Sequence, residues 1–189
     1  MSADFAAQRS NMVESQVRVA DVTDYAIQDA MRVVRREVLL APEKRYLAYA
    51  DTELEYAPGR WLLKPRDIAK LLQAVRPRAG ERALAIAAPY AAAVMEAMGL
   101  AVERLDEGDI TSPTDAYDVV VCEGAVALAP PGWTMALNPG GRLGAVERDG
   151  PVGRARLFLR SDSGVGARDL FDCTPPIMAG FEAVRGFAF

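Results

Sequence analysis

The sequence predicts a three-layer α/β fold on a mainly parallel sheet, and three observations carry that expectation. The first is the stretch Arg82-Ala-Leu-Ala-Ile-Ala-Ala-Pro-Tyr-Ala-Ala-Ala-Val-Met-Glu-Ala-Met-Gly99. It reads as a buried strand over 83–87, a tight turn at Ala88-Pro89 and a helix ending at Gly99. Strand, turn and helix in that order open a Rossmann-like domain, whose ligand sits at the carboxyl end of the first strand. The second is Tyr117-Asp-Val-Val-Val-Cys122, a β-branched run of the kind found in strands buried on both faces. The third is the alternation of such runs with helical patterns, which favours parallel strands joined by crossovers.

The elements follow in order. Phe5, Met12, Val13, Val17 and Val19 mark an amphipathic helix from Asp4 to about Val19. Thr23 or Asp24 can cap a second helix over 25–34, and Pro42-Glu43 starts a short helical turn ending near Tyr49. These first 51 residues form a helical lead too short to bury much alone, so they should pack on the Rossmann-like domain over 52–189. Thr52 to Tyr56 reads as a short strand or extended arm, with Pro58-Gly59 as a turn. Pro65 opens a helix through Val75 whose inward face is Ile68, Leu71, Leu72 and Val75. After Gly99 come a strand to Leu105, a polar loop over 106–116, the strand 117–122 and a short helix around Trp133 to Leu137. Asn138-Pro-Gly-Gly141 then turns into a strand over 142–147. A hairpin with arms 153–160 and 165–172 follows, and the segment from Thr174 is extended.

Composition limits the chemistry. The 189 residues carry 22 basic and 26 acidic side chains, a net charge of −4, which argues against nucleic acid as a partner. There is no histidine, so histidine bases, Ser-His and Cys-His pairs and nearly every common zinc site are excluded, and no metal is expected. Cys122 and Cys173 stand far apart and read as small buried hydrophobes. No apolar run approaches a membrane span and the first residues lack a secretory core, so the expectation is a cytoplasmic protein without a membrane partner.

Several strings, in order, resemble the protein-L-isoaspartate O-methyltransferase family. They are Met12-Val-Glu-Ser-Gln-Val-Arg18, Ala30-Met-Arg-Val-Val-Arg-Arg-Glu37, Leu47-Ala-Tyr-Ala-Asp51, Arg82-Ala-Leu-Ala-Ile86, Tyr117-Asp-Val-Val-Val121, Leu137-Asn-Pro-Gly-Gly-Arg-Leu143 and Leu170-Phe-Asp172. The resemblance spans almost the whole chain. It implies an S-adenosylmethionine-dependent methyltransferase fold and transfer of a methyl group to isoaspartyl carboxylates of damaged proteins. A carboxylate is already a competent nucleophile, so the chemistry is mostly positioning and needs no histidine.

Three departures fall on the implied site. The family's glycine-rich loop and its preceding acid match Ala85-Ile-Ala-Ala-Pro-Tyr90, so Ala85 stands at the acid's position and Ala87, Ala88 and Tyr90 in a loop without glycine. Leu63, in Trp61-Leu-Leu-Lys-Pro65, stands at the position of the active-site serine. The third strand and its helix are missing between Glu103 and Tyr117. By the same resemblance Glu103 matches the acid that holds the ribose hydroxyls, Gly108-Asp109 matches the Gly-Asp near the adenine, and Lys64 with Asp51 or Glu53 could make a polar site. Two expectations stay open: a methyltransferase with reduced or lost activity, or a non-catalytic scaffold for binding or oligomerisation. Without a third strand, the strand over 100–105 becomes a sheet edge. Leu100, Val102 and Leu105 then require cover from the 106–116 loop or from a second copy in a two-fold dimer.

Overall fold

The computed structural model describes residues 4–106 and 108–183. Asp4 caps helix α1 (Phe5–Met12), its carboxylate accepting the Ala7 amide at 3.0 Å. The helix expected to reach Val19 is not uniform. It widens into a π-helical turn over Val13–Val17 and tightens into a 3-10 turn over Arg18–Ala20. Met12, Val13 and Val17 are all fully buried, and the wide turn gathers them onto a narrower arc than the ~140° a regular helix would give. Asp24 caps α2 (Tyr25–Val33) by accepting the Ala26 and Ile27 amides. Two 3-10 segments follow, Arg36–Leu39 and Pro42–Leu47.

The extended arm is one half of a hairpin. Strands β1 (Leu54–Ala57) and β2 (Arg60–Leu62) pair antiparallel around Pro58-Gly59. Three residues in β2 are too few for a period-2 pattern to show in sequence. Gly59 is required there: its φ is +65°, and a Cβ would lie 2.5 Å from that of Ala179.

The remaining elements are α3 (Pro65–Val75), β3 (Arg82–Ile86), α4 (Pro89–Ala97), β4 (Ala101–Leu105), β5 (Tyr117–Val126), α5 (Pro131–Met135), β6 (Leu137–Glu147), β7 (Gly153–Ser161) and β8 (Gly164–Cys173). The sheet runs β4-β3-β5-β6-β7-β8, with β4, β3, β5 and β6 parallel and β7 and β8 antiparallel. The C-terminal hairpin therefore continues the sheet outward from β6. β5 runs past Cys122 to Val126 and β6 starts at Leu137, before the expected Arg142. The expected Asn138-Pro-Gly-Gly141 turn lies within β6 and is absorbed as a register shift opposite Tyr117 to Val119, and β5 carries a second shift between Val121 and Ala125.

Two apolar clusters sandwich the sheet. On one face α3, α4 and the N-terminal helices pack on Ala83, Ala85, Val119 and Val121, so Met12, Ile27 and Met31 share a core with β3 and β5. On the other, Trp133 of α5, Ile110 and Met178 cover Leu84, Ile86, Val120 and Leu143. The segment after β8 lies along β5, where Met178 donates its amide to the Ala125 carbonyl at 2.8 Å. As expected, no strand or helix forms among the described residues of 106–116, and β4 is an edge. Its apolar residues find cover within the chain: Leu100 is buried, Val102 packs on the first cluster and Leu105 on the second.

Candidate functional site

A parallel sheet directs its ligand chemistry to the carboxyl ends of its strands, where β3 meets α4. Here the connecting residues are Ala87 and Ala88, both fully buried. Ala87 takes φ +45°, a left-handed conformation that costs an L-residue roughly 1–2 kcal/mol. The turn thus keeps the backbone shape that favours glycine while carrying a methyl group. The Ala87 amide is consumed by the Leu105 carbonyl at 3.1 Å, which ties the turn to the end of β4.

Helix α4 begins without a side-chain cap of its own, since Ala88 offers none. Its first amides would be available to an anion. The anion is internal. Glu123 sits in the irregular stretch of β5, on the same face as Val119 and Val121, and is fully buried. Its Oε2 accepts the Ala91 amide at 3.3 Å and its Oε1 accepts the Leu63 amide at 3.2 Å. The Leu63 carbonyl in turn accepts from Nη2 of Arg36 at 2.5 Å. The Arg36 Nη1 lies 3.8 Å from Oε1 of Glu123, and the guanidinium stands over the Tyr90 ring at 4.8 Å. Arg36 and Tyr90 are both fully buried.

This cluster holds charge in a medium that disfavours it. Burial pushes the Glu123 carboxyl up to about 7, and the opposing pull of Arg36 and of the Ala91, Leu63 and Tyr90 amides does not restore an ordinary value. Burial likewise lowers the proton affinity of Arg36, with Glu123 opposing. Burial raises the Tyr90 hydroxyl, which has no hydrogen-bond partner among the described residues. Arg36 is also under-satisfied, because Nε and Nη1 make no hydrogen bond.

The residues expected from sequence divide into two groups. Ala87, Ala88 and Tyr90 stand together at the head of β3 and α4, with Leu63 linked to them through Glu123. The Leu63 side chain lies in the core and its backbone, not a hydroxyl, serves the cluster. Ala85 is buried in the strand. Glu103 and Asp109 lie apart from this group. Glu103 pairs in register with Leu84, about 10 Å back along the sheet from Ala87. There it is half-exposed and binds the Arg82 guanidinium at 3.4 Å. Asp109 caps its own turn, accepting the Thr111 hydroxyl at 2.5 Å and the Thr111 amide at 2.9 Å, which together hold its carboxyl below the usual range. That loop rests on α5, with Nε1 of Trp133 donating to the Ile110 carbonyl at 2.6 Å. Lys64 pairs with Glu53 at 3.5 Å, while Asp51 pairs with Arg66 at 3.1 Å.

Arg36 and Glu123 were not singled out by sequence. The signal for Glu123 was present: read as one strand, Val119-Val-Val-Cys-Glu-Gly-Ala-Val126 places a carboxylate inside an apolar run. Among the described residues, no group of three or more His, Cys, Asp or Glu is placed to hold a metal ion. No helix among them is long and apolar enough to cross a membrane.

No protein-family model matches the chain. Curated relatives do. The chain is 30% identical to a protein-L-isoaspartate O-methyltransferase of Methylorubrum extorquens, over 89% of this chain and 84% of that protein. It is 31% identical to the protein of the same name in Methylorubrum populi, over 80% and 84%. Two solved structures share the fold. One is a protein-L-isoaspartate O-methyltransferase with TM-score 0.69 and 20% identity, covering 92% of this chain and 67% of that one. The other is a Plasmodium falciparum chain assigned to the same enzyme and solved with S-adenosyl-L-homocysteine, with TM-score 0.73 and 14% identity over 90% and 97%. With relatives of this identity matched over most of their length and the Rossmann-like sheet in place, the chain belongs to the protein-L-isoaspartate O-methyltransferase family.

Proposed function

We propose that this member of the family has lost methyl transfer and uses the methyltransferase fold as a binding scaffold. One observation carries the reading: the first amides of α4 are taken by the buried Glu123, beside which Arg36 and Tyr90 stack fully buried. S-adenosylmethionine brings an α-carboxylate, a ribose and an adenine, each needing donors or acceptors that face solvent-accessible space. Ala87, Ala88 and Tyr90 are all fully buried, and Glu103, the residue aligned with the ribose ligand, is engaged by Arg82 in mid-strand. The residues present do not fit the cofactor. Leu63 offers no hydroxyl where the resemblance implies one, so an isoaspartyl carboxylate would lack both its donor and its orienting group.

Calorimetric titration with S-adenosyl-L-homocysteine tests this directly. The expected result is no saturable heat at ligand concentrations that saturate an active relative run alongside. Saturable binding in the low micromolar range, or methylation of an isoaspartyl peptide above background, overturns the reading.

A further inference from the structure

The cations of this protein are almost all occupied. Among the described residues, Lys and Arg side chains hydrogen-bond to a neighbour or pair with a carboxylate throughout the fold. Lys70, Arg76, Arg78 and Arg168 do neither. Three of these belong to α3 and the segment directly after it and the fourth to β8, and all line one cleft of about 740 Å³ between α3 and β8. Unpaired cations scattered over a surface are solvated and need no explanation. Their convergence on one concave site, in a chain of net charge −4, does.

The shape of the site indicates what it takes. A neighbouring cleft of about 490 Å³ shares Lys70 and Phe171 with it. Another of about 350 Å³ shares Arg76, Arg78 and Arg168. The three join into one trough with the cations at its middle. Small-molecule sites enclose about 300–1,000 Å³ in a single recess, whereas here the concavity continues from the 740 Å³ cleft into the two that share its lining. Its wall includes β8, the edge strand of the sheet, whose outer N–H and C=O groups have no strand partner. Phe171, half-buried under the Lys70 ammonium at 4.1 Å, supplies an apolar floor. Five carboxylates line the three clefts: Asp21 and Asp24 in the first, and Asp51, Asp67 and Asp172 in the second. Asp24 caps α2, Asp51 and Asp67 face Arg66, and Asp172 faces Arg154.

We infer that this trough receives an extended acidic peptide segment of a partner protein. Its carboxylates meet Lys70, Arg76, Arg78 and Arg168, its apolar side chains rest on Phe171, and its backbone runs beside β8 as an added strand. The site lies away from the Glu123 cluster and does not depend on whether the cofactor binds.

The test is fluorescence anisotropy with a labelled peptide of about twelve Glu, Asp, Leu and Gly residues, a span that matches an added strand with its flanks. The same peptide with Gln and Asn in place of its acids, and an oligothymidylate of equal charge, serve as comparisons. The acidic peptide should bind saturably and more weakly as salt rises. An Arg78→Glu, Arg168→Glu double variant should weaken it by about tenfold or more, as expected for reversing close charge contacts. Equal reversals at Arg18 and Arg45 should leave affinity within about twofold. If circular dichroism shows the double variant misfolded, Arg168→Gln, at an exposed position, replaces it. Absence of saturable binding, equal binding of the amide analogue, equal loss in both charge variants, or tighter binding of the oligothymidylate would each overturn the inference.

Discussion

Replacing Glu123 with glutamine isolates the electrostatics of the buried cluster. The carboxyl has a pKa of about 7 in the folded chain against 4.5 as the reference for the unfolded one. The folded state therefore binds this proton more tightly. The contribution to stability is complete below pH 4.5 and is lost as pH rises through about 7. At 1.36 kcal/mol per unit the whole window is worth about 3 kcal/mol, and the interval from pH 5 to pH 8 about 2–3 kcal/mol. Glutamine does not ionise, so the variant lacks this slope. The variant also turns one acceptor into a donor facing an amide, a penalty that is the same at both pH values and cancels in the comparison. Urea unfolding of both proteins at pH 5 and pH 8 gives the readout, since other titrating groups are common to the two. The stability difference should move toward the variant by about 2–3 kcal/mol on going to pH 8, a large fraction of a typical ~5–15 kcal/mol total. An unchanged difference would mean that Glu123 titrates as an ordinary carboxylate. A move in favour of wild type would mean that Arg36 outweighs burial. Either result refutes the account given of the cluster.

Two further substitutions probe the same region and the sheet beneath it. Tyr90→Phe removes a buried hydroxyl without a hydrogen-bond partner while keeping the ring under Arg36, so stability in urea should hold or rise by about 1 kcal/mol. A loss greater than that would show that the hydroxyl is satisfied. Gly144→Ala places a Cβ at 2.9 Å from Val75 and 3.0 Å from Leu71, wedging α3 from β6, and should cost about 1–3 kcal/mol by thermal or urea unfolding.

Much of the fold was legible because period and punctuation agree with it. The β-branched run before Cys122 became β5, Pro65 and Pro89 opened helices, and the short interval between Glu103 and Tyr117 announced the missing third strand. What was not legible depends on residues distant in sequence. The strand was ended at Cys122, because the bulge that carries β5 on to Val126 is set by its partner β6. Leu63, Ala87 and Tyr90 were found through resemblance, but what fills the space between them was not. Arg36 looks like any arginine after a helix, and only the convergence of α4, β5 and the segment before α3 makes it a buried ion. The strand ending at Leu105 was legible, but the register that sets Glu103 beside Leu84 and the Arg82 guanidinium belongs to the pairing with β3 and is not written in β4 alone.

The Arg36–Glu123 contact also sets an order of events on the ribosome. At ~5–20 residues per second, the interval between synthesis of these two residues lasts roughly 4–17 s. By the end of that time the N-terminal helices have left the exit tunnel, while β5, against which their apolar residues finally share a core, is only then being made. The apolar residues of these helices and an unpaired arginine must wait for their counterparts. The nascent chain is therefore most open to chaperone capture in its first third, and docking of that segment completes only after Glu123 has left the exit tunnel.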